Sequence, residues 1–216
     1  MTIHTSSVDQ LVSRIEERLS RKSRTVIAIA GIPGAGKSTL VRELIDHLGS
    51  QGILAQLLPQ DGYHYYRAEL AKFEDSNEAF RRRGAPFTFN VERFLSAIEK
   101  LHSGEIVLVP LFDHSKKDPV EDDIVIGTDV KVVLVEGNYV GLKDDPWCRI
   151  GDLADELWLV NTPTTLVRKR IIKRHLDSGI AENEAEAVER ADGLDWQNAL
   201  YVIANNREAD VIVERN

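Results

Sequence analysis

Thr25-Val26-Ile27-Ala28-Ile29-Ala30-Gly31-Ile32-Pro33-Gly34-Ala35-Gly36-Lys37-Ser38 is the stretch that decides the fold of this chain. Its first six residues form a continuous apolar run, the pattern of a strand buried on both faces of a parallel sheet. Residues 31–38 fit G-x-x-x-x-G-K-[ST], a phosphate-binding loop. Beyond it Leu40, Val41, Leu44, Ile45 and Leu48 recur at helical spacing, so a helix follows the turn, with Gly49 and Gly52 suited to ending it. In that context the glycines let backbone N–H groups face inward around phosphate oxygens, and the helix aims its positive end at the same anion. Gly31, Gly34, Ala35, Gly36 and Thr39 therefore frame a nucleoside triphosphate site, Lys37 reaches the β- and γ-phosphates, and the Ser38 hydroxyl is a ligand for Mg²⁺.

Outward from the loop, short β-branched runs alternate with amphipathic stretches, which predicts an α/β architecture. An opening helix carries Val8, Leu11, Val12, Ile15 and Leu19 on one face. Further strands are expected at 53–58, 106–109, 130–135 and 156–160, with 209–213 as an edge strand. Helices are expected at 91–101, 164–178, 182–192 and 195–205. The polar interval 61–90 has weak periodicity and reads as irregular structure with short helices beside the site. The fold predicted is a three-layer P-loop NTPase fold. It has a mainly parallel, five-stranded-type sheet, helices on both faces and a helical lid at about 164–192, all in one domain spanning 1–216.

The 216 residues carry 35 acids against 27 bases, a net charge of −8, which argues against a polyanion binder that neutralises phosphates over a broad surface. No nucleic-acid partner is expected. The lone Cys148 cannot form an intrachain disulfide, no basic-then-apolar leader opens the chain, and no apolar run approaches the ~20 residues of a membrane span. A cytoplasmic protein without membrane contact is the expectation, and a homodimer is left open.

Three acids follow apolar strands, where ligands of open α/β sheets gather. Asp61 lies in Asp61-Gly62-Tyr63-His64, Asp113 in Pro110-Leu111-Phe112-Asp113-His114, and Glu136 in Val135-Glu136-Gly137. An acid so placed can hold a metal or take a proton from an attacking hydroxyl. A second cationic cluster, Arg168, Lys169, Arg170, Lys173, Arg174 and His175, lies on a helix where Arg170 and Arg174 point the same way. That pair could clamp a γ-phosphate, or the cluster could be a solvated face balanced by Glu182, Glu184, Glu186 and Glu189.

These residues together resemble the uridine kinase, pantothenate kinase and phosphoribulokinase family of P-loop small-molecule kinases. The resemblance runs from Val26 to about Val213. It rests on the phosphate loop, Asp61-Gly62-Tyr63, Arg83-Gly84-Ala85-Pro86-Phe87-Thr88-Phe89-Asn90, Pro110 to His114, Val135-Glu136-Gly137-Asn138, the basic helix, Asn198 and Ala209-Asp210. It implies that Asp61 is the base for the acceptor hydroxyl and that Arg170 or Arg174 neutralises the phosphoryl group in transfer. Phe112 stands where uridine kinases usually carry tyrosine, while the Arg83–Asn90 stretch and His114 look more like bacterial pantothenate kinases, which are longer. Uridine, pantothenate and a sugar all stay open as acceptor.

The leading expectation is an ATP-dependent kinase acting on an alcohol of a small polar metabolite, with ATP and Mg²⁺ as cofactors. Its catalytic residues are Lys37, Asp61, Arg170 and Arg174, with Arg168 on the nucleotide and Glu136 beside Ser38 on the metal. Tyr63, His64, Arg83, Phe89, Asp113 and His114 line the acceptor site. A nucleoside monophosphate kinase would use the same loop, with Arg81, Arg82 and Arg83 for the acceptor phosphate. A nucleotide-hydrolysing or regulatory P-loop protein is the remaining class, although no Asn-Lys-x-Asp guanine-reading motif occurs.

Overall fold

Strand formation at Thr25–Ala30 (β2) follows from burial, since all six of its residues are excluded from solvent. Fully burying an aliphatic side chain such as Ile27 or Ile29 contributes about 1.5–3 kcal/mol. The computed structural model describes residues 2–179 and 181–216. Around β2 it builds a six-stranded, all-parallel sheet in the order β1-β8-β7-β2-β6-β3. The other strands are Ile3–Thr5 (β1), Ala55–Pro59 (β3), Val132–Gly137 (β6), Glu156–Asn161 (β7) and Val211–Glu214 (β8). Ile29 lies opposite Glu136, and Glu136 opposite Pro59, so the ends of β2, β6 and β3 come level.

Helices cover the sheet because their apolar stripes need cover. Val8–Leu19 (α1) is capped by the Ser7 side chain, which accepts from the Gln10 N–H, and it buries Leu11, Val12 and Ile15. Lys37–Ser50 (α2) buries Leu40, Val41, Leu44 and Leu48. Arg67–Leu70 (α3) and Ser76–Arg81 (α4) are short, as the weak periodicity of this region requires. Val91–His102 (α5) starts at the Asn90 cap and buries Phe94, Leu95, Ile98 and Leu101. Between β4 (Val107–Asp113) and β6 runs β5 (Asp118–Ile126). Cys148–Leu153 (α6), Thr164–Asp177 (α7), Glu184–Arg190 (α8) and Trp196–Asn205 (α9) complete the chain, with a π-helical turn at Ala191–Asp195 joining α8 to α9.

Three expectations change. The strand expected at 106–109 is not in the main sheet but opens an antiparallel hairpin, β4–β5, whose register shifts between Val109 and Leu111. Pro110 sits at that shift, where it need not donate a ladder hydrogen bond. The sheet has six strands rather than five, because the terminal strand at 211–214 is covered by β1 and so is not the edge. The basic helix is anchored along its length, down to the buried His175 in its last turn. Val167 and Ile171 are buried, and a Cβ on Gly34 would lie 2.9 Å from Ile171 Cγ1.

Gly34 also has φ +77°, in the left-handed region that costs a non-glycine residue about 1–2 kcal/mol. Gly34→Ala is therefore expected to lower unfolding free energy by at least about 1–2 kcal/mol in a urea titration, and to weaken nucleotide binding as α7 is pushed off the loop. An unchanged melt would show that loop and helix yield freely.

Candidate active site

The phosphate loop closes at Gly36, whose φ of +94° places it as the left-handed cap of α2. Leu40 makes the first helical bond, to the Gly36 carbonyl. The amides of Lys37, Ser38 and Thr39 thus stand at the helix start, where backbone donors lack intrahelical partners, and Ser38 and Thr39 are exposed. The Ala35 amide behaves differently: it donates to the Ile32 carbonyl at 3.1 Å, and the Ala35 carbonyl accepts from Thr162 Oγ1 at 2.8 Å. Ala35 thus serves the loop's own shape, with Thr162 at the end of β7 bracing it.

Lys37 is buried, and Nζ donates to the carbonyls of Gly31 (3.0 Å) and Ile32 (3.2 Å) and to Asn138 Oδ1 (2.7 Å). Glu136 Oε1 is 3.9 Å away. Burial pulls the ammonium below its usual range, opposed by the charges of Glu136 and Asp61. Burial likewise raises the Glu136 carboxyl, and the Lys37 ammonium pulls it back. Ser38 Oγ lies 3.3 Å from Glu136 Oε2, so a hydroxyl and a carboxylate converge as a pair of hard oxygen donors. Such a pair fits Mg²⁺, which takes few protein ligands and completes its shell with phosphate oxygens and water. Asp61 is exposed just beyond β3 and, among the described residues, its carboxylate has no hydrogen-bond or ion-pair partner. Its charge acts on Lys37, Glu136 and His64.

Beside Asp61 the structure brings His64, Phe89, Phe112 and His114 together. The His64 ring stacks on Phe89 at 3.9 Å and on Phe112 at 4.7 Å. His64 Nδ1 donates to the Asp61 carbonyl at 2.8 Å, and burial holds the imidazole below its usual range. A carbonyl only accepts, so the neutral ring carries its proton on Nδ1 and offers Nε2 as an acceptor. His114 is exposed, 5.2 Å from the Phe112 ring. Phe89 departs from expectation, since it is buried, packed edge-on to Tyr139 and Trp147, and backs the His64 ring from the core rather than lining the acceptor site.

Tyr63 departs from expectation: only 2% exposed, it packs on Phe94 in the core rather than lining the wall. Asp113 does too. Its carboxylate accepts from the Ser115 and Lys116 amides and the Ser115 hydroxyl, which hold it below the usual carboxylate range, so it shapes the hairpin turn. Arg83 spends its terminal nitrogens on the Tyr65 and Lys117 carbonyls and on Asp118, pinning the hairpin while its guanidinium covers Phe112. Arg81 is paired with Glu78 and Arg82 lies over Phe87. The three adjacent arginines therefore diverge, each toward a different neighbour.

On α7, Arg168 pairs with Asp192 at 2.6 and 2.8 Å. Arg170 Nη1 is 3.6 Å from where a Gly36 Cβ would stand, and the Arg174 charge acts on Lys37. His175 Nε2 meets Asp195 Oδ2 at 2.6 Å, a second tie between α7 and the segment after α8. We expect Arg168→Ala to keep kcat within about twofold, whereas Arg170→Ala and Arg174→Ala each lower it about tenfold or more, one tenfold per 1.4 kcal/mol of lost phosphoryl stabilisation. Steady-state kinetics of the three variants decide this, and a slow Arg168 variant would return that residue to the site.

Sequence reasoning singled out neither Gln60, Asn138 nor Thr162 as site residues. Each lies at or just past a strand end, and that position was the only signal in the sequence. Two clefts at the opposite ends of the strands are closed by ion pairs, Lys22 with Asp155 and both Arg14 and Arg18 with Glu156.

Residues 26–215 match the model of the Phosphoribulokinase / Uridine kinase family, and the chain belongs to that family. It is 35% identical to "Putative uridine kinase C227.14" of Schizosaccharomyces pombe, over 97% of this chain and 91% of that protein. The crystal structure of a "putative fructose transport system kinase" from Silicibacter sp. TM1040 superposes with a TM-score of 0.87 at 32% identity, covering 95% of this chain and 98% of that one. The structure of YFH7 from Saccharomyces cerevisiae, at 21% identity over 97% and 98% of the two chains, shares the fold with a TM-score of 0.84. The protein is an ATP-dependent kinase of this family. No helix among the described residues is long and apolar enough to cross a membrane.

Proposed function

We propose that the protein transfers the γ-phosphate of ATP to a hydroxyl of a small polar metabolite bound between Asp61 and the wall of His64, Phe112 and His114. The observation that carries this reading is the Asp61 carboxylate, which has no partner among the described residues, lies just beyond β3, two strands from β2, and is close enough for its charge to act on Lys37. Asp61 takes the hydroxyl proton as the acceptor oxygen bonds to the γ-phosphorus and the bond to ADP breaks. Lys37 sits against the β- and γ-phosphates, and Arg170 and Arg174 neutralise charge on the group in transit. Mg²⁺, held by Ser38 and Glu136, would supply further charge neutralisation when bound. The face of α7 that carries Arg170 and Arg174 acts with α8 as the lid over the nucleotide, keeping water from the γ-phosphate.

The acceptor wall combines apolar ring faces with imidazole, which suits the flat apolar face and polar rim of a sugar or sugar-like polyol. The Silicibacter relative, whose name refers to fructose, supports starting there. Acceptor-dependent ADP release, measured with MgATP against fructose, ribose, glycerate, uridine, cytidine and pantothenate, tests the reading. Turnover that rises with one of them supports it. ADP release indifferent to every acceptor would replace it with a nucleotide-hydrolysing role.

A further inference from the structure

An ammonium has three N–H donors, and in Lys37 all three are used on the protein: Gly31 O, Ile32 O and Asn138 Oδ1. The carboxylate of Glu136 lies nearby at 3.9 Å, within ion-pair range but beyond hydrogen-bond length. In a site this buried, a lysine and a glutamate so near each other gain by closing to a charge-assisted hydrogen bond. The third N–H that would make this bond goes instead to Asn138, two residues beyond Glu136 at the same strand end. Asn138 is itself held by its neighbours. The Tyr139 amide donates to Gln60 Oε1 at 2.9 Å, and Gly137 packs so closely on Gln60 that a Cβ there would lie 2.2 Å from Oε1.

We propose that Asn138 is a positioning residue that keeps Lys37 and Glu136 apart. The ammonium then has only neutral acceptors to exchange for phosphate oxygens, with no ion pair to break, and the carboxylate stays beside Ser38. Asn138 suits this task because a neutral amide oxygen accepts the proton without adding a charge that would repel a triphosphate. The inference rests on the reading of the loop as a nucleotide site. Once Asn138 is truncated, the freed N–H turns to Glu136 and the ammonium is withdrawn from the phosphates.

The test is metal-free binding of fluorescent N-methylanthraniloyl-ADP, in EDTA, to the wild-type protein, Asn138→Ala, Glu136→Gln and the double variant. Asn138→Ala should weaken binding about tenfold, as expected for one lost hydrogen bond to a charged group. Glu136→Gln should bind at least as tightly as wild type, since a repelling carboxylate is gone. In the double variant the ammonium has no carboxylate to close on, so affinity should return to within about twofold of Glu136→Gln. An Asn138→Ala protein that binds like wild type overturns the proposal. So does a double variant that keeps the full tenfold loss, which would mean that Asn138 merely supports the loop. Should the alanine variant not fold, Asn138→Ser, too short to reach Nζ, carries the same two expectations. Failure of the wild-type protein to bind would overturn the nucleotide reading as well.

Discussion

Lys37→Ala is expected to lower kcat by at least about 10³-fold, the scale of losing a preorganised donor aimed at developing charge. The loop should survive the change, because its shape comes from elsewhere. Gly34 and Gly36 adopt left-handed backbone, Ala35 bonds to Ile32, and Thr162 braces the Ala35 carbonyl. Single-turnover transfer and a thermal melt would be measured together. A folded variant with normal turnover would remove the kinase mechanism, since no other residue in the loop carries a positive charge.

The second large effect is expected at Asp61. Asp61→Asn preserves shape and hydrogen-bonding reach but removes the proton acceptor, so the chemical step should slow by about 10²–10⁴-fold while MgATP affinity changes little. The position supports the separation, because Glu136 sits against Ser38 and Lys37 whereas Asp61 is exposed and unpartnered. Nucleotide affinity and kcat, measured on the same preparation, discriminate the two roles. If Asp61→Asn loses MgATP affinity and keeps its rate, Asp61 belongs to the metal and Glu136 becomes the base.

The helix following the loop, the buried central strand and the acids at 61 and 136 were all legible from local pattern. An unbroken apolar run has no soluble alternative to burial on both faces, and Gly34 and Gly36 stand where only left-handed backbone closes the turn. The β4–β5 hairpin was not legible, because β5 carries four acids among its nine residues and pairs only through a long-range ladder beside the sheet. Likewise Ile3–Thr5 is too short to show a period, and it is a strand only because β8 is there to pair with it.

At the site, local sequence determined which residue types were present but not where their hydrogen-bonding capacity went. Arg83, Asp113 and Arg168 read as ligand-binding groups, yet each is claimed by a partner the sequence could not indicate: Asp118, the turn amides at 115 and 116, and Asp192. Conversely Asn138, part of the family pattern but given no role from sequence, accepts from Lys37 across 101 positions of chain. The sequence by itself determined the phosphate loop, the strand-end acids and the family. Only the tertiary structure decided which polar groups are satisfied by the protein and which stay free for a substrate, because satisfaction depends on partners that meet through folding.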